Sequence, residues 1–145
     1  MFKHLLIPTD GSELSEAAIK AAVQFAKSIN AKITAFYAMP EFHLLGYGPE
    51  MVTDTREEFV KDCKARADQF LAVILQAAKK EDVLCETARQ ITDRPYEAII
   101  ATAKEKGCDL IMMASHGRRG VQGFLLGSET QKVLTHSKIP VLVFR

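Results

Sequence analysis

Residues 108–114 read CDLIMMA, and Gly107 stands in front of them. Past Asp109 the run has almost no polar face. A strand with one solvated face alternates polar and apolar residues, whereas an apolar strand without alternation is covered on both sides, as in the interior of a parallel sheet. Working outward from this strand, the segments alternate in type. FKHLLIP (2–8) is a short apolar run ending at Pro8, where a central strand would lose its ladder donor. TDGSELSEAAIKAAVQFAKSIN (9–30) puts Leu14, Ala17, Ala18, Ala21, Ala22, Phe25 and Ile29 at helical spacing. Asp10 and Glu13 make a D-x-x-E capping box there, with Ser12 as a rival cap, and Asn30 closes the helix. AKITAFYAM (31–39) reads as a second strand. A long helix over 59–80 carries Phe59, Cys63, Ala67, Phe70, Leu71, Ile74 and Ala78 on one face, and VLCETARQI (83–91) is a third strand. Asp93 caps a helix opening at Arg94-Pro95, where proline is tolerated. After the fourth strand and a glycine-rich loop, SETQKVLTHS (128–137) is a short helix and IPVLVF (139–144) a last strand.

The order β-α-β-α-β-α-β-α-β, without repeats or linkers, predicts a single α/β domain over residues 1–145 with a mostly parallel sheet covered by helices on both faces. A chain of 145 residues buries about two-thirds of its unfolded surface in one core. Composition narrows the classes. A net charge of +1, from 19 Lys+Arg against 18 Asp+Glu, argues against a nucleic-acid protein, which carries a basic stripe. The first residues hold too short an apolar run for a signal peptide, and no apolar stretch reaches the length of a membrane span. Cys63, Cys85 and Cys108 are odd in number and form no CxxC, so neither a disulfide framework nor a zinc-thiolate site is indicated. The expectation is a reduced, cytoplasmic protein.

In sheets of this kind, ligands bind beyond the carboxyl ends of the strands, where strand order reverses. Two segments have the chemistry for it: Pro8-Thr9-Asp10-Gly11-Ser12 after the first strand and Ser115 to Ser128 after the fourth. The second holds four of the chain's eight glycines within residues 117–127. Glycines let backbone N–H groups converge without Cβ interference, and Gly127-Ser128 then opens a helix whose positive end faces the same space. An anion, most simply a polyphosphate, fits that arrangement.

LIPTDGS near residue 8, SHGRRG after the fourth strand, LLGS before the last helix and IPVLVFR at the end together resemble the universal stress protein family over essentially the whole chain. The nucleotide-binding branch of that family carries G-x2-G-x9-G-[S/T]. Gly117, Gly127 and Ser128 match it, and Ala114 stands at the first glycine position, a departure of one methyl where backbone meets ligand. The resemblance implies a Rossmann-like three-layer sandwich with a five-stranded sheet of order 3-2-1-4-5 and four helices. It implies that Pro8, Thr9 and Asp10 contact adenosine and a phosphate-bound Mg²⁺ or Mn²⁺, with Asp10 as the metal ligand. Ala38 and Met113 then line the adenine pocket, and Ala114, His116, Gly117, Gly120, Gly127, Ser128 and Glu129 surround ribose and phosphates. It also implies a homodimer through the last strand, a regulatory role in the stress response, and a protein partner that the sequence leaves unknown.

The same residues have plainer readings. Asp10 serves as a helix cap, a metal ligand or both. His116 hydrogen-bonds backbone or acts in catalysis, though no partner carboxylate is visible in sequence. Arg118 and Arg119 are solvated or bind phosphate. Ser128 caps the last helix and adds a phosphate contact. Glu129 uses only its backbone N–H or weakens phosphate binding by repulsion. His136 is a surface residue at a helix C-terminus, His4 is structural, and the cysteines are core filler or surface thiols. Residues 39–54, with Phe42, His43 and Tyr47, form a long connection that is a lid, a partner surface or an ordinary loop.

Three function classes follow: an ATP-binding regulatory protein, a nucleotide-free interaction module on the same fold, and an enzyme on a related nucleotide fold. The third is weakest. PTDGSE is not the S-G-G-x-D-S loop of an ATP pyrophosphatase, the third strand ends in RQI rather than the aspartate of a phosphoacceptor, and GVQGFLLGS lacks the lysine of a Walker motif. Binding rather than turnover is expected, with hydrolysis slow at most.

Overall fold

The computed structural model describes residues 1–43, 49–116 and 126–145, without the side chains of residues 13, 14 and 49–54. The elements are β1 (His4–Pro8), α1 (Glu13–Ser28), β2 (Lys32–Met39), α2 (Pro49–Lys80), β3 (Cys85–Ile91), α3 (Pro95–Glu105), β4 (Leu110–Ala114), α4 (Ser128–His136) and β5 (Val141–Phe144). The five strands pair in parallel in the order β3-β2-β1-β4-β5, so the sheet is the Rossmann-like one expected.

Side-chain alternation splits the core into two layers. Leu5, Ile7, Ile33, Ala35, Leu110 and Met112 face α1 and α2, meeting Ile19 and Val23 from the first and Leu71 and Ile74 from the second. Leu6, Phe36, Ile111 and Met113 face the other way, onto Ala98, Ile99 and Ala103 of α3 and Val133 of α4. Leu5, Leu6, Ile7, Ile33, Phe36 and Ile111 are at most 1% exposed, so the central strands are covered on both faces, as CDLIMMA indicated.

Several local expectations are corrected. The buried face of α1 is Ala18, Ile19, Ala22, Val23 and Ala26, while Ala17 is exposed; in an alanine-rich helix the small residues leave the stripe ambiguous, and the branched side chains take the sheet side. Helix α2 begins at Pro49, ten residues before Phe59, so residues 49–54 of the connection expected over 39–54 are helix. Residues 55–58 are exposed, so no apolar stripe announces helix over those four. The face expected for the rest of α2 holds: Cys63, Ala67, Leu71, Ile74 and Ala78 are buried. Ser12, not Asp10, is the N-cap of α1, its Oγ accepting from the Ser15 N–H at 3.3 Å. Helices α3 and α4 are capped by Arg94 and Gly127 with no side-chain hydrogen bond, so Asp93 and Ser128 do not cap them. Asn30 does close α1, with φ 54°.

Candidate functional site

Order 3-2-1-4-5 places the reversal between β1 and β4. Leu6 lies opposite Ile111, and continuing that register sets Pro8 level with Met113. On the other side Pro8 pairs with Phe36, two residues short of Ala38. Met113 is buried, and Ala38 packs against the same apolar cluster, so the residues expected to line an adenine pocket share the α3/α4 face of the sheet.

Beyond β1 the chain is fixed by its own polar groups. The Thr9 N–H donates to the Phe36 carbonyl at 2.9 Å, and Thr9 Oγ1 accepts from the Gly11 N–H at 3.1 Å while lying 2.9 Å from Ser15 Oγ. Asp10 Oδ1 accepts from the Ser12 N–H at 3.0 Å, closing a turn two residues long that aims the carboxylate from the strand end. Gly11 has φ +75°, and the Phe70 ring occupies the place a Cβ would take. The turn therefore depends on α2 as well as on its own sequence.

Beyond β4, Ser115 is 2% exposed, and its N–H donates to the Phe144 carbonyl at 2.7 Å. Its carbonyl in turn accepts from the Gly127 N–H at 2.7 Å, and Thr130 Oγ1 donates to the Ala114 carbonyl at 3.0 Å. These two bonds pin the N-terminus of α4 to the end of β4, beside the Pro8–Ser12 turn. Ser128 and Glu129 open α4, where the first-turn N–H groups lack partners within the helix. The Glu129 carboxylate turns elsewhere: Oε2 accepts from the Tyr96 N–H at 2.9 Å and Oε1 from Lys132 Nζ at 2.9 Å. Glu129 thus supplies the first turn of α3 with an acceptor that its own cap lacks, and its charge is paired. Ser115 Oγ and His116 Nδ1 are 2.9 Å apart.

The structure thus brings Pro8, Thr9, Asp10, Ala38, Met113, Ala114, His116, Gly127, Ser128 and Glu129 to one end of the sheet. Gly117, Gly120, Arg118, Arg119 and Tyr47 lie outside the described residues. Ser15 and Thr130 were not singled out by the sequence, although Ser15 meets Thr9 beyond β1 and Thr130 ties α4 to β4; a small hydroxyl residue two places into a helix carries no signal of what it will meet. His4 and His136 are placed as expected. His4 is buried against Thr34, and His136 ends α4 with its ring 5.4 Å from that of Tyr96. Burial pushes the Cys85 and Cys108 thiols up to about 11, which keeps them protonated and unreactive near neutrality.

Residues 1–145, the whole chain, match the universal stress protein family. The chain belongs to that family. The universal stress protein YxiE of Bacillus subtilis is 31% identical over 149 residues, covering 100% of both chains. Among solved structures, hypothetical protein MJ0577 of Methanocaldococcus jannaschii is similar to this universal stress protein with a TM-score of 0.83 at 27% identity, over 99% of this chain and 95% of that one. A universal stress protein solved in complex with cAMP has a TM-score of 0.62 at 25% identity, over 99% and 97%. Two further members share the fold at lower identity, one from Arabidopsis thaliana with AMP bound and one from Archaeoglobus fulgidus in complex with dAMP. Among the described residues, no helix is long and apolar enough to cross a membrane.

Proposed function

We propose that this universal stress protein is a cytoplasmic regulatory protein that binds ATP with Mg²⁺ or Mn²⁺ at the β1/β4 reversal and works as a homodimer joined through β5. The observation that carries the reading is the anchored N-terminus of α4. Gly127 and Thr130 tie it to the end of β4, and Glu129 is diverted to Tyr96 and Lys132, so the acidic side chain in that first turn does not oppose an anion. The adenine nucleotides carried by related proteins support the class of ligand. The residues fit the metal as well: a single carboxylate, Asp10, beside a phosphate cradle is the kind of donor set Mg²⁺ takes, with phosphate oxygens and water completing it. The ion would neutralise phosphate charge there. The expected role of Asp10, Ala38, Met113 and the glycine loop is to hold and orient the nucleotide. Binding then shifts the surface offered to a protein partner. Turnover is at most slow, because no motif places a general base.

The test is calorimetric titration of nucleotide-stripped protein with ATP-Mg²⁺, with AMP as control. Micromolar affinity favouring ATP is the expected result. One observation favours a second reading, a nucleotide-free dimeric interaction module: Ala114 stands where the binding branch has glycine, at a position whose carbonyl already holds Thr130. Absence of heat with either nucleotide would select that reading.

A further inference from the structure

The C-terminal ends of β2 and β3 carry a second cluster of polar groups, on the side of β1 away from β4. Met39 pairs with Ile91, and the Thr92 N–H donates to the Met39 carbonyl at 2.8 Å, so the two chains leave the sheet together. One rung beyond, the Glu41 N–H donates to Asp93 Oδ1 at 3.0 Å, and His43 Nε2 is hydrogen-bonded to Asp93 Oδ2. One donor atom each from Glu41, His43 and Asp93 lie within 4.8 Å of one another, and all three residues are exposed. From this geometry we propose that Glu41, His43 and Asp93 form a solvent-facing site for one divalent transition-metal ion of the zinc, cobalt and nickel class.

The donor set decides the class. A cluster of carboxylates alone is ordinary solvated surface, but one imidazole with two carboxylates matches the borderline-soft ions, whereas Mg²⁺ and Ca²⁺ favour shells made wholly of oxygen. Ligands around a tetrahedral zinc at about 2.1 Å stand roughly 3.4 Å apart, so binding takes only small shifts, with His43 Nε2 and Asp93 Oδ2 moving apart to admit the ion and water as the fourth ligand. The ion takes the place of the hydrogen between His43 Nε2 and Asp93 Oδ2, with His43 binding as the neutral imidazole that carries its proton on Nδ1. The backbone bond from Glu41 to Asp93 Oδ1 holds the carboxylate in orientation, as outer partners of metal ligands do. Phe42 faces the other way, its ring 5.3 Å from that of Phe59 on α2, which anchors the segment carrying Glu41 and His43. A bound ion therefore clips the connection after β2 to the turn before α3. The site is separate from the proposed nucleotide cleft and uses none of its residues.

The experiment is calorimetric titration of the tag-free, nucleotide-free full chain with ZnCl₂ and, separately, MgCl₂, followed by absorption spectra with CoCl₂. One equivalent of zinc, no competition from magnesium, and a cobalt spectrum without a thiolate charge-transfer band are expected. His43→Ala and Asp93→Asn should each weaken zinc binding by at least about tenfold, with circular dichroism unchanged because both side chains are exposed. No zinc binding, undiminished binding by both variants, or a thiolate band assigning the ion to Cys63, Cys85 or Cys108 would overturn the proposal. Run without nucleotide, the titration is independent of whether the β1/β4 cleft binds ATP.

Discussion

Gly127 has φ −59° and ψ 148°, values open to any residue, so its missing side chain matters for what approaches α4 rather than for the bend. Gly127→Val is accordingly expected to keep cooperative unfolding while abolishing ATP binding, because two methyls occupy the phosphate's place; unchanged affinity by titration would remove the phosphate-cradle reading. Asp10 is the complementary case. Its Oδ1 holds the Ser12 N–H, a bond that the amide oxygen of asparagine also makes, so Asp10→Asn removes charge while preserving the turn. Affinity for ATP should then fall in Mg²⁺ and change little in EDTA. An equal loss in both would mean that Asp10 is not a metal ligand.

At the scale of elements, the start of α1 shows why caps were only half legible. The run TDGSE offers Asp10 and Ser12 as rival caps, and propensity does not choose between them. The Phe70 ring does, because it admits only a residue without Cβ at position 11, and the left-handed backbone there leaves Asp10 two residues ahead of the cap position. Gly11→Ala should therefore cost about 2–3 kcal/mol, combining the left-handed penalty with displacement of Phe70, and a lowered denaturation midpoint checks it. The same reasoning covers α3. Its cap was expected from Asp93, yet that carboxylate is taken by Glu41 and His43 from a segment some fifty residues away, and Glu129 of α4 supplies the acceptor instead.

Across the whole molecule, the end of the sheet opposite the cleft holds a buried titratable group. His4 is 4% exposed; Thr34 Oγ1 donates its only proton to Glu86 at 3.0 Å, so His4 Nε2 donates to Thr34 at 2.7 Å. Burial, helped by Lys32, holds the imidazole below its usual value, against opposing contributions from Glu86 and Asp109. The unfolded chain takes up this proton first, near pH 6.5, so the contribution to stability is complete above that pH and is lost as pH falls further. Denaturation midpoints should be flat above about pH 6.5 and decline toward pH 5, and His4→Gln should flatten that decline. A decline of unchanged slope would assign it to other groups. At the sheet's edge, β5 pairs, among the described residues, only with β4, and Leu142 is 36% exposed. If β5 joins two copies, Leu142→Glu should shift the protein from dimer to monomer in light scattering, since a charge on an edge strand opposes pairing.

The sequence by itself determined the alternation of strands and helices, the doubly covered CDLIMMA strand and the placing of Pro8–Ser12 and Ser128 beyond the strand ends of the β1/β4 reversal. These rest on short-range patterning, which one chain displays to any reader. What only the tertiary structure decided were the contacts between segments remote in sequence: the Phe70 ring at Gly11, the diversion of Glu129 to Tyr96, the pinning of α4 by Ser115 and Ala114, and the meeting of Glu41, His43 and Asp93. Strand order in a parallel sheet is set by crossovers that bring distant residues together. A polar side chain's partner therefore depends on which segments become neighbours, and that is not written in its local sequence.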